Sequence, residues 1–425
     1  MSGPFDVRSA DVLIVGAGPA GLSAATRLRQ LGVAKVIVVD REQQGGGIPR
    51  HCGHPPFGMR EFGRVLTGPA YARKLVERAV HAGVDLQLGC SVVSIDCSDG
   101  DLVVACATNR GALTVTAKRI VIATGVRERP RSARLLGGDR PLGILNTGAL
   151  QEYVYLERLA PFRRPLIVGT ELVALSSLLT CRKIGARPVA MIEAGSHSTV
   201  RRASMALPRL LGVPVRYETE IVDIEGRRRV EAVTVRARDG RVDTIDCDGV
   251  LLTGCFRPEA ALARTAGLEI DTGSGGPAID QFARTSEPRI FAAGNVLHPV
   301  DTAGWSWREG RKVGEFVAQD LAGKLPDAKP AIKLTAGPGI RYVVPQRLVP
   351  GEGGFENLQL RADNDVSSGL VAYEGNALIR KQALSTGPER RILAPTSAFA
   401  GARGDVTISI DGEEKTSNRS GSECV

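Results

Sequence analysis

The chain has 425 residues, 43% hydrophobic and 24% charged, with 55 Lys and Arg against 46 Asp and Glu for a formal net charge of +9. That length exceeds one small core and implies two or three domains, and no stretch reaches the 18 or so uninterrupted apolar residues of a membrane-spanning helix. The basic residues are scattered among acidic ones, densest at 127–134 and 227–229, without zinc-ligand spacing or aromatic interleaving, so nucleic acid is not an expected partner. The eight cysteines form no Cys-x-x-Cys pair, so neither a metal knuckle nor a dithiol motif is expected, and no metal site is assigned. The apolar run at 12–25 is broken by Gly16, Gly18, Pro19 and Gly21 and lacks a cleavage-site pattern, so the expected location is cytoplasmic.

In chain order, residues 11–15 read as a short apolar strand, 16–21 as a glycine turn, and 22–31 as a helix closed by Gly32. A second strand, 36–39, ends at Asp40. A loop rich in Gly, Pro and His covers 43–58, and a helix follows over about 69–82. Runs at 92–97, 102–107 and 112–116 suggest a meander, and 119–125 a buried strand ending in a glycine turn. A second β-turn-α-β unit has its strand at 165–168, its turn at Gly169, a helix to Ile184 closed by Gly185, and a strand at 189–192. A further meander spans 215–253, a strand-turn 289–295, and a helix 308–322. From about Lys329, Pro and Gly punctuate short alternating runs such as 341–344, 358–361 and 406–410, which reads as a small β-rich domain. The last dozen residues are polar and expected to be disordered. The expected fold class is α/β: two Rossmann-like dinucleotide-binding lobes plus a small C-terminal β-rich domain. Expected boundaries are 1–155 with 254–328, then 156–253, then 329–425.

Gly16-x-Gly18-x-x-Gly21 lies between a strand and a helix, with Asp40 ending the next strand. Gly16 permits the tight turn, Gly18 lets the backbone approach a pyrophosphate, and Gly21 lets helix pack on strand. The helix N-terminus offers N–H groups to the phosphates, and Asp40 can accept from ribose hydroxyls. FAD and NAD are not distinguished by this turn.

Three later segments make that distinction through a resemblance. Ala123-Thr124-Gly125 is similar to the ATG motif of flavoproteins with two dinucleotide-binding domains. Gly254-Cys-Phe-Arg-Pro258-Glu259 resembles their second glycine-proline motif, and Ile290-Phe-Ala-Ala-Gly294-Asn295 the segment that reaches the flavin ribityl and pyrophosphate. In family order over 11–322, these resemble the FAD-dependent pyridine nucleotide-disulfide oxidoreductase superfamily, which implies a glutathione reductase-like fold with FAD at the N-terminal site. The resemblance implies cofactor contacts from Gly16, Gly18, Pro19, Ala20, Gly21, Asp40, Arg41 and Val93. It adds Ala123, Thr124, Gly125, Gly294 and Asn295, the last standing where the superfamily usually has Asp but keeping an acceptor oxygen.

The second turn departs from the pattern. It reads Gly169-Thr-Glu171-Leu-Val-Ala174, with a carboxylate where a pyrophosphate needs its closest approach. Glu193, at the end of the next strand, would suit an NAD ribose, so the two signals conflict; the phosphate argument takes precedence, and usual NAD(P)H binding is not expected.

In the disulfide reductases of that superfamily a Cys-x-x-x-x-Cys pair follows the second strand; here Cys52 stands near the second position and Ile48 precedes it by four. A disulfide relay is therefore not expected. His51 and His54 are candidate general bases, Cys52 a further catalytic candidate, and Arg50 a carboxylate clamp; the alternative is that they only brace the loop. His298 and Trp305 are candidates for lining the flavin pocket, ordinary packing being the simpler role for Trp305.

The run from Gly47-Ile-Pro-Arg-His-Cys-Gly-His-Pro-Pro-Phe-Gly-Met to Leu66-Thr-Gly-Pro-Ala-Tyr71 narrows the resemblance. It is similar to flavoprotein subunits of the opine oxidase, hydrogen cyanide synthase and hydroxyproline dehydrogenase type, and to relatives that accompany glycerol-3-phosphate dehydrogenase-like proteins. Many of the first group carry a cysteine-rich [2Fe–2S] domain, whereas here only Cys424 lies beyond residue 255, too few ligands for a cluster. The expected function is a FAD-dependent dehydrogenase or oxidase subunit acting on a small amino or hydroxy compound and passing electrons to a partner subunit or acceptor. The alternatives are an NAD(P)H-dependent flavin reductase and a non-catalytic accessory subunit.

Overall fold

The computed structural model describes residues 6–98, 100–299, 301–329, 331–349, 353–399 and 401–413. They form two compact units: residues 6–50, 57–126 and from 257 onward make the first, and 51–56 with 127–256 the second. The expected disorder of the last dozen residues, and Cys424, fall on 414–425, outside the described residues.

The first unit opens with β1 (Asp6–Val15), α1 (Pro19–Gln30) and β2 (Val36–Asp40), then α2 (Met59–Phe62), α3 (Gly68–His81), β3 (Asp85–Leu88), β4 (Cys90–Asp96), β5 (Leu102–Thr108) and β6 (Gly111–Ile122). The strand order is β3-β2-β1-β6-β5-β4. The β1, β2, β3 and β6 pairings are parallel, and the β4-β5-β6 meander is antiparallel. Val12, Leu13, Ile14, Val38, Val39, Ile120, Val121 and Ile122 are fully buried, as in a parallel sheet covered on both faces.

One sequence expectation changes here. The runs at 112–116 and 119–125 belong largely to the single strand β6. The polar pair Lys118-Arg119 suggests a break, but Lys118 bonds Asp11 at 2.8 Å and Arg119 pairs with Asp320, so both charges are satisfied within the strand.

The chain leaves the first unit through β7 (Val126–Glu128). The second unit then contains β8 (Ile144–Asn146), α4 (Thr147–Tyr155), β9 (Pro165–Val168), α5 (Leu172–Lys183), β10 (Ala190–Ile192) and α6 (Ala206–Leu210). It continues with β11 (Val215–Arg216), β12 (Thr219–Glu225), β13 (Ala232–Ala237), β14 (Val242–Asp246) and β15 (Gly249–Leu252), and the chain returns through β16 (Phe256–Pro258). A parallel sheet ordered β11-β10-β9-β15-β8 is flanked by the antiparallel sheet β12-β13-β14. Because β8 pairs in register with β15, residues 127–155 go with this unit rather than with the first lobe.

Back in the first unit come α7 (Ala261–Thr265), β17 (Ile290–Ala292), parallel to the end of β6, and the long α8 (Ala303–Leu321). Helix α8 starts five residues earlier than its apolar periodicity suggests, with Thr302 at the N-cap position. Gly310 and Gly314 of α8 face Ala20 and Ala24 of α1: a Cβ at 310 would lie 2.1 Å from the Ala20 carbonyl oxygen, and one at 314 would lie 2.8 Å from that of Ala24. The two helices thus cross almost backbone to backbone.

The C-terminal region is β-rich as expected: β18 (Ile332–Ala336), β19 (Ile340–Val344), β20 (Arg347–Leu348), β21 (Asn357–Ala362), β22 (Val366–Glu374), β23 (Ala377–Thr386), β24 (Ile392–Pro395) and β25 (Val406–Ile410). These form sheets ordered β20-β18-β25-β22-β23 and β19-β21-β24 around their own core, which includes Leu334, Leu358, Leu360, Ile392 and Ile408. This core is separate, yet the region groups with the first unit.

Candidate functional site

The glycine turn separates what the protein needs from what a ligand would need. Gly16 adopts φ +114°, and a Cβ there would strike the Ala123 carbonyl oxygen at 2.3 Å; one at Gly21 would lie 1.9 Å from the Gly16 carbonyl oxygen. Both glycines are dictated by the chain itself. Gly18 is different: its backbone is extended, with φ −79° and ψ −177°, and a Cβ would meet only the Gly47 Cα, at 4.0 Å. A Cβ fits at Gly18 as far as the chain is concerned. The position opens at the N-terminus of α1, where Pro19 occupies the first turn and no side chain caps the helix. This is the cradle a pyrophosphate requires, and the residues present fit a dinucleotide.

The other residues of the expected cofactor set join this turn. Asp40 accepts from the Ala17 amide at 2.6 Å and the Glu42 amide at 2.9 Å, so it pins the turn to the end of β2 and retains a second lone pair on each oxygen for a ribose. Arg41 is half-exposed, with its guanidinium 3.8 Å from Glu259. Thr124 donates to the Glu259 carbonyl at 2.7 Å, and Glu259 N–H to the Gly125 carbonyl at 2.8 Å, which ties the ATG-like segment to the end of the glycine-proline segment. Val93 sits in a bulge of β4 between Val92 and Ser94 and is 62% exposed. These contacts do not tie it to the turn.

Gly294, on the turn after β17, lies against Ala20: a Cβ there would come 2.8 Å from the Ala20 Cβ. Asn295 turns its amide inward, accepting from Asp301 N–H and donating to the Asp301 carbonyl, both at 3.0 Å. The asparagine therefore braces the 295–301 loop.

Behind this turn lies a buried charge network that sequence reasoning missed. Glu309 accepts from Gly294 N–H at 2.6 Å through Oε2, and through Oε1 from Gln359 at 2.9 Å and His298 at 3.0 Å. The other ring nitrogen of His298 lies 3.2 Å from Asp301, which also receives Arg361 at 3.1 Å and pairs with Arg391. Burial alone would lower the His298 pKa, but the Glu309 and Asp301 carboxylates overcome it and raise it to about 10. His298 is thus a structural cation. The same cation partners and hydrogen bonds overcome burial at Asp301 and hold its carboxyl well below the usual range. Trp305 is stacked against the guanidiniums of Arg60 at 4.2 Å and Arg391 at 4.1 Å. That is a packing role, with cation–π attraction to these two arginines and to Arg308 at 5.5 Å.

In the second unit the corresponding turn is closed from within. Glu171 folds its carboxylate over the turn: Oε2 accepts from Thr253 at 2.7 Å, and Cβ atoms built on Gly169 and Gly254 would lie 2.4 and 2.5 Å from its oxygens. The space left open at Gly18 is filled here by a negative charge. Glu193 is engaged as well, accepting from Thr170, from Thr199 at 3.3 Å and from Gly195 N–H at 3.0 Å.

The candidate catalytic loop is divided between the units. In the first, Arg50 pairs with Glu42 at 3.0 Å and donates to the Gln44 carbonyl at 3.1 Å, so the expected carboxylate clamp instead fastens the loop. In the second, His51 is half-buried at the end of the turn Ile48–His51. His54 places Nδ1 3.0 Å from the Pro55 carbonyl; as a donor there, a neutral ring carries its lone pair on Nε2. Cys52 is buried and donates to Gln151 at 3.2 Å. Burial, and secondarily Glu128, push its thiol up to about 12, so it stays protonated at neutral pH. The thiolate is the reactive form, so the structure does not support Cys52 as a nucleophile. Glu128, unforeseen in the sequence, accepts from Gly148 N–H at 2.7 Å, and burial raises its pKa to about 7.

The comparisons with known proteins bear on the family and the fold. Residues 10–313 match the pyridine nucleotide-disulphide oxidoreductase family model. The chain is 30% identical over 330 residues to the ferredoxin–NAD(+) reductase subunit of the benzene 1,2-dioxygenase system of Pseudomonas putida, covering 74% of each chain. It is 27% identical over 342 residues to hydrogen cyanide synthase subunit HcnB of Pseudomonas aeruginosa, covering 72% of this chain and 69% of that one. Among solved structures, T. acidophilum thioredoxin reductase superposes with a TM-score of 0.62 at 22% identity, over 74% of this chain and 99% of that one.

Proposed function

The chain belongs to the pyridine nucleotide-disulphide oxidoreductase family and is an FAD-dependent oxidoreductase; within that class we propose that it oxidises a small amino or hydroxy compound and delivers the electrons to a partner protein or acceptor. The carrying observation is Glu171, whose carboxylate fills the second glycine turn and disfavours a nicotinamide dinucleotide as the electron source. The buried, protonated Cys52, with Gly47 rather than a cysteine five residues before it, disfavours a thiol relay. A substrate C–H bond remains as the electron source, and the likeness to a hydrogen cyanide synthase subunit supports that reading.

When bound, FAD supplies a two-electron acceptor. Gly18 and the α1 N-terminus would hold its phosphates, and Asp40 its ribose. His54, with Nδ1 on the Pro55 carbonyl, is the base proposed to take the substrate proton on Nε2, and His51 is the second candidate. The P. putida relative favours an alternative reading, a reductase that takes electrons from NADH.

The deciding experiment mixes the flavin-loaded protein anaerobically with NADH, with NADPH, and with a panel of imino acids, opines, amino acids, hydroxy acids and glycerol phosphate. The visible flavin band should bleach with a member of the panel and not with the nicotinamides. Rapid bleaching by NADH alone would establish the reductase reading instead.

A further inference from the structure

We propose that Glu309 is a positioning residue through which the C-terminal β-rich region holds the flavin-facing turn at Gly294. This rests on Gly294 belonging to the FAD site. Glu309 is 8% exposed, and its two oxygens face different parts of the fold. One accepts from Gly294 N–H at 2.6 Å; the other accepts from Gln359 of β21 at 2.9 Å and from His298 at 3.0 Å. His298 continues to Asp301, and Asp301 to Arg361 of β21 and to Arg391, beside β24. Gly294 in turn rests on Ala20, in the first turn of α1 next to the open position at Gly18. An unbroken line of buried contacts therefore runs from β21 to the phosphate cradle.

The chemistry makes Glu309 hard to replace. Gly294 N–H, the Gln359 amide and the protonated His298 all donate, and only a carboxylate offers acceptors on both oxygens without adding a donor of its own. An unmet buried donor is costly, and the charge-assisted bonds are the stronger ones. The β-rich region thereby acts on flavin affinity through Glu309.

The test uses the full chain as wild type and as Glu309→Gln, Gln359→Leu and Gly18→Ala variants. FAD is titrated into each apoprotein, and the visible circular dichroism and midpoint potential of the bound flavin are recorded. Glu309→Gln should raise the FAD dissociation constant at least about tenfold, equivalent to about 1.4 kcal/mol. Gln359→Leu should raise it about threefold, with a shifted flavin dichroism in both. Unchanged FAD affinity in Gln359→Leu would overturn the link to the β-rich region even if Glu309→Gln weakens binding. Lower melting temperatures of both apoproteins with unchanged affinity and potential would likewise overturn it, leaving Glu309 a merely structural residue. Gly18→Ala weakens FAD binding whether or not Glu309 takes part, so its failure to do so would point to an error in the flavin site itself.

Discussion

Gly310 of α8 lies so close to Ala20 of α1 that a single added methyl would stand 2.1 Å from the Ala20 carbonyl oxygen. Neither atom belongs to a flexible side chain, so the backbones must separate to admit it. Gly310→Ala should cost about 1–3 kcal/mol of stability, as overpacking does. Because Ala20 sits in the first turn of α1, the helix proposed to face the FAD phosphates, the same change should also weaken FAD binding. Thermal melts of apoprotein and FAD-loaded protein check both effects. Equal melting temperatures for variant and wild type would show that the helices do not cross as described.

Gly18 and Gly21 should respond to alanine in opposite ways. Gly21→Ala meets the chain's own carbonyl at 1.9 Å and should lower the melting temperature of the apoprotein. Gly18→Ala meets almost nothing, so its apoprotein should melt like the wild type while its FAD affinity falls about tenfold or more. An apoprotein destabilised equally by both would indicate a tight turn with no ligand requirement.

Glu171→Gly removes the carboxylate from the second turn. Close like charges disfavour binding by several kcal/mol, so the variant should bind NAD(+) at least about tenfold more tightly than the wild type. Calorimetric titration measures this directly. Micromolar binding by the wild type would refute a closed second turn.

His298 predicts an alkaline limb in stability. Its pKa rises on folding from about 6.5 to about 10, so its contribution is complete below pH 6.5 and is lost as pH climbs through 10. The facing groups are Glu309 and Asp301, with Arg361 and Arg391 beyond them. Urea unfolding from pH 7 to pH 10 should show the wild type losing stability faster than His298→Gln. Parallel slopes would mean that the ring is neutral in the fold.

Glu128 predicts the opposite kind of substitution effect. An acid whose pKa rises from about 4.5 to about 7 on folding contributes stability below 4.5 that is lost as the pH rises through 7. Glu128→Gln keeps an acceptor for Gly148 N–H and should be more stable than the wild type at pH 8. A less stable variant at that pH would show that the charged form is the one the fold requires.

The first lobe was legible because its fingerprint is local: Gly16, Gly18, Gly21 and Asp40 sit within one strand-turn-helix-strand stretch, and each has a separate steric or charge role. Glu171 was equally readable, since one carboxylate in a glycine position conflicts with phosphate whatever surrounds it. The Glu309 network was not, because its members come from α8, the loop before it and the C-terminal β-region. No periodicity links Gly294 to Gln359. The Gly310-x-x-x-Gly314 spacing, matched by Ala20-x-x-x-Ala24, was a readable sign of a close helix crossing. Arg50 misled because an arginine in a glycine-rich loop reads as a ligand clamp, and its partner Glu42 lies on the other side of that loop.

The first unit is discontinuous in the chain, and this has a consequence for biosynthesis. The dinucleotide fingerprint leaves the ribosome long before α8, the helix that backs α1, which begins only at residue 303. The second unit's main segment, 127–256, is contiguous and emerges in between, and domains generally fold as units during synthesis. Flavin capture is thus a late event in the life of the nascent chain, and arrested chains of increasing length should begin to retain FAD only once residue 321 has cleared the exit tunnel.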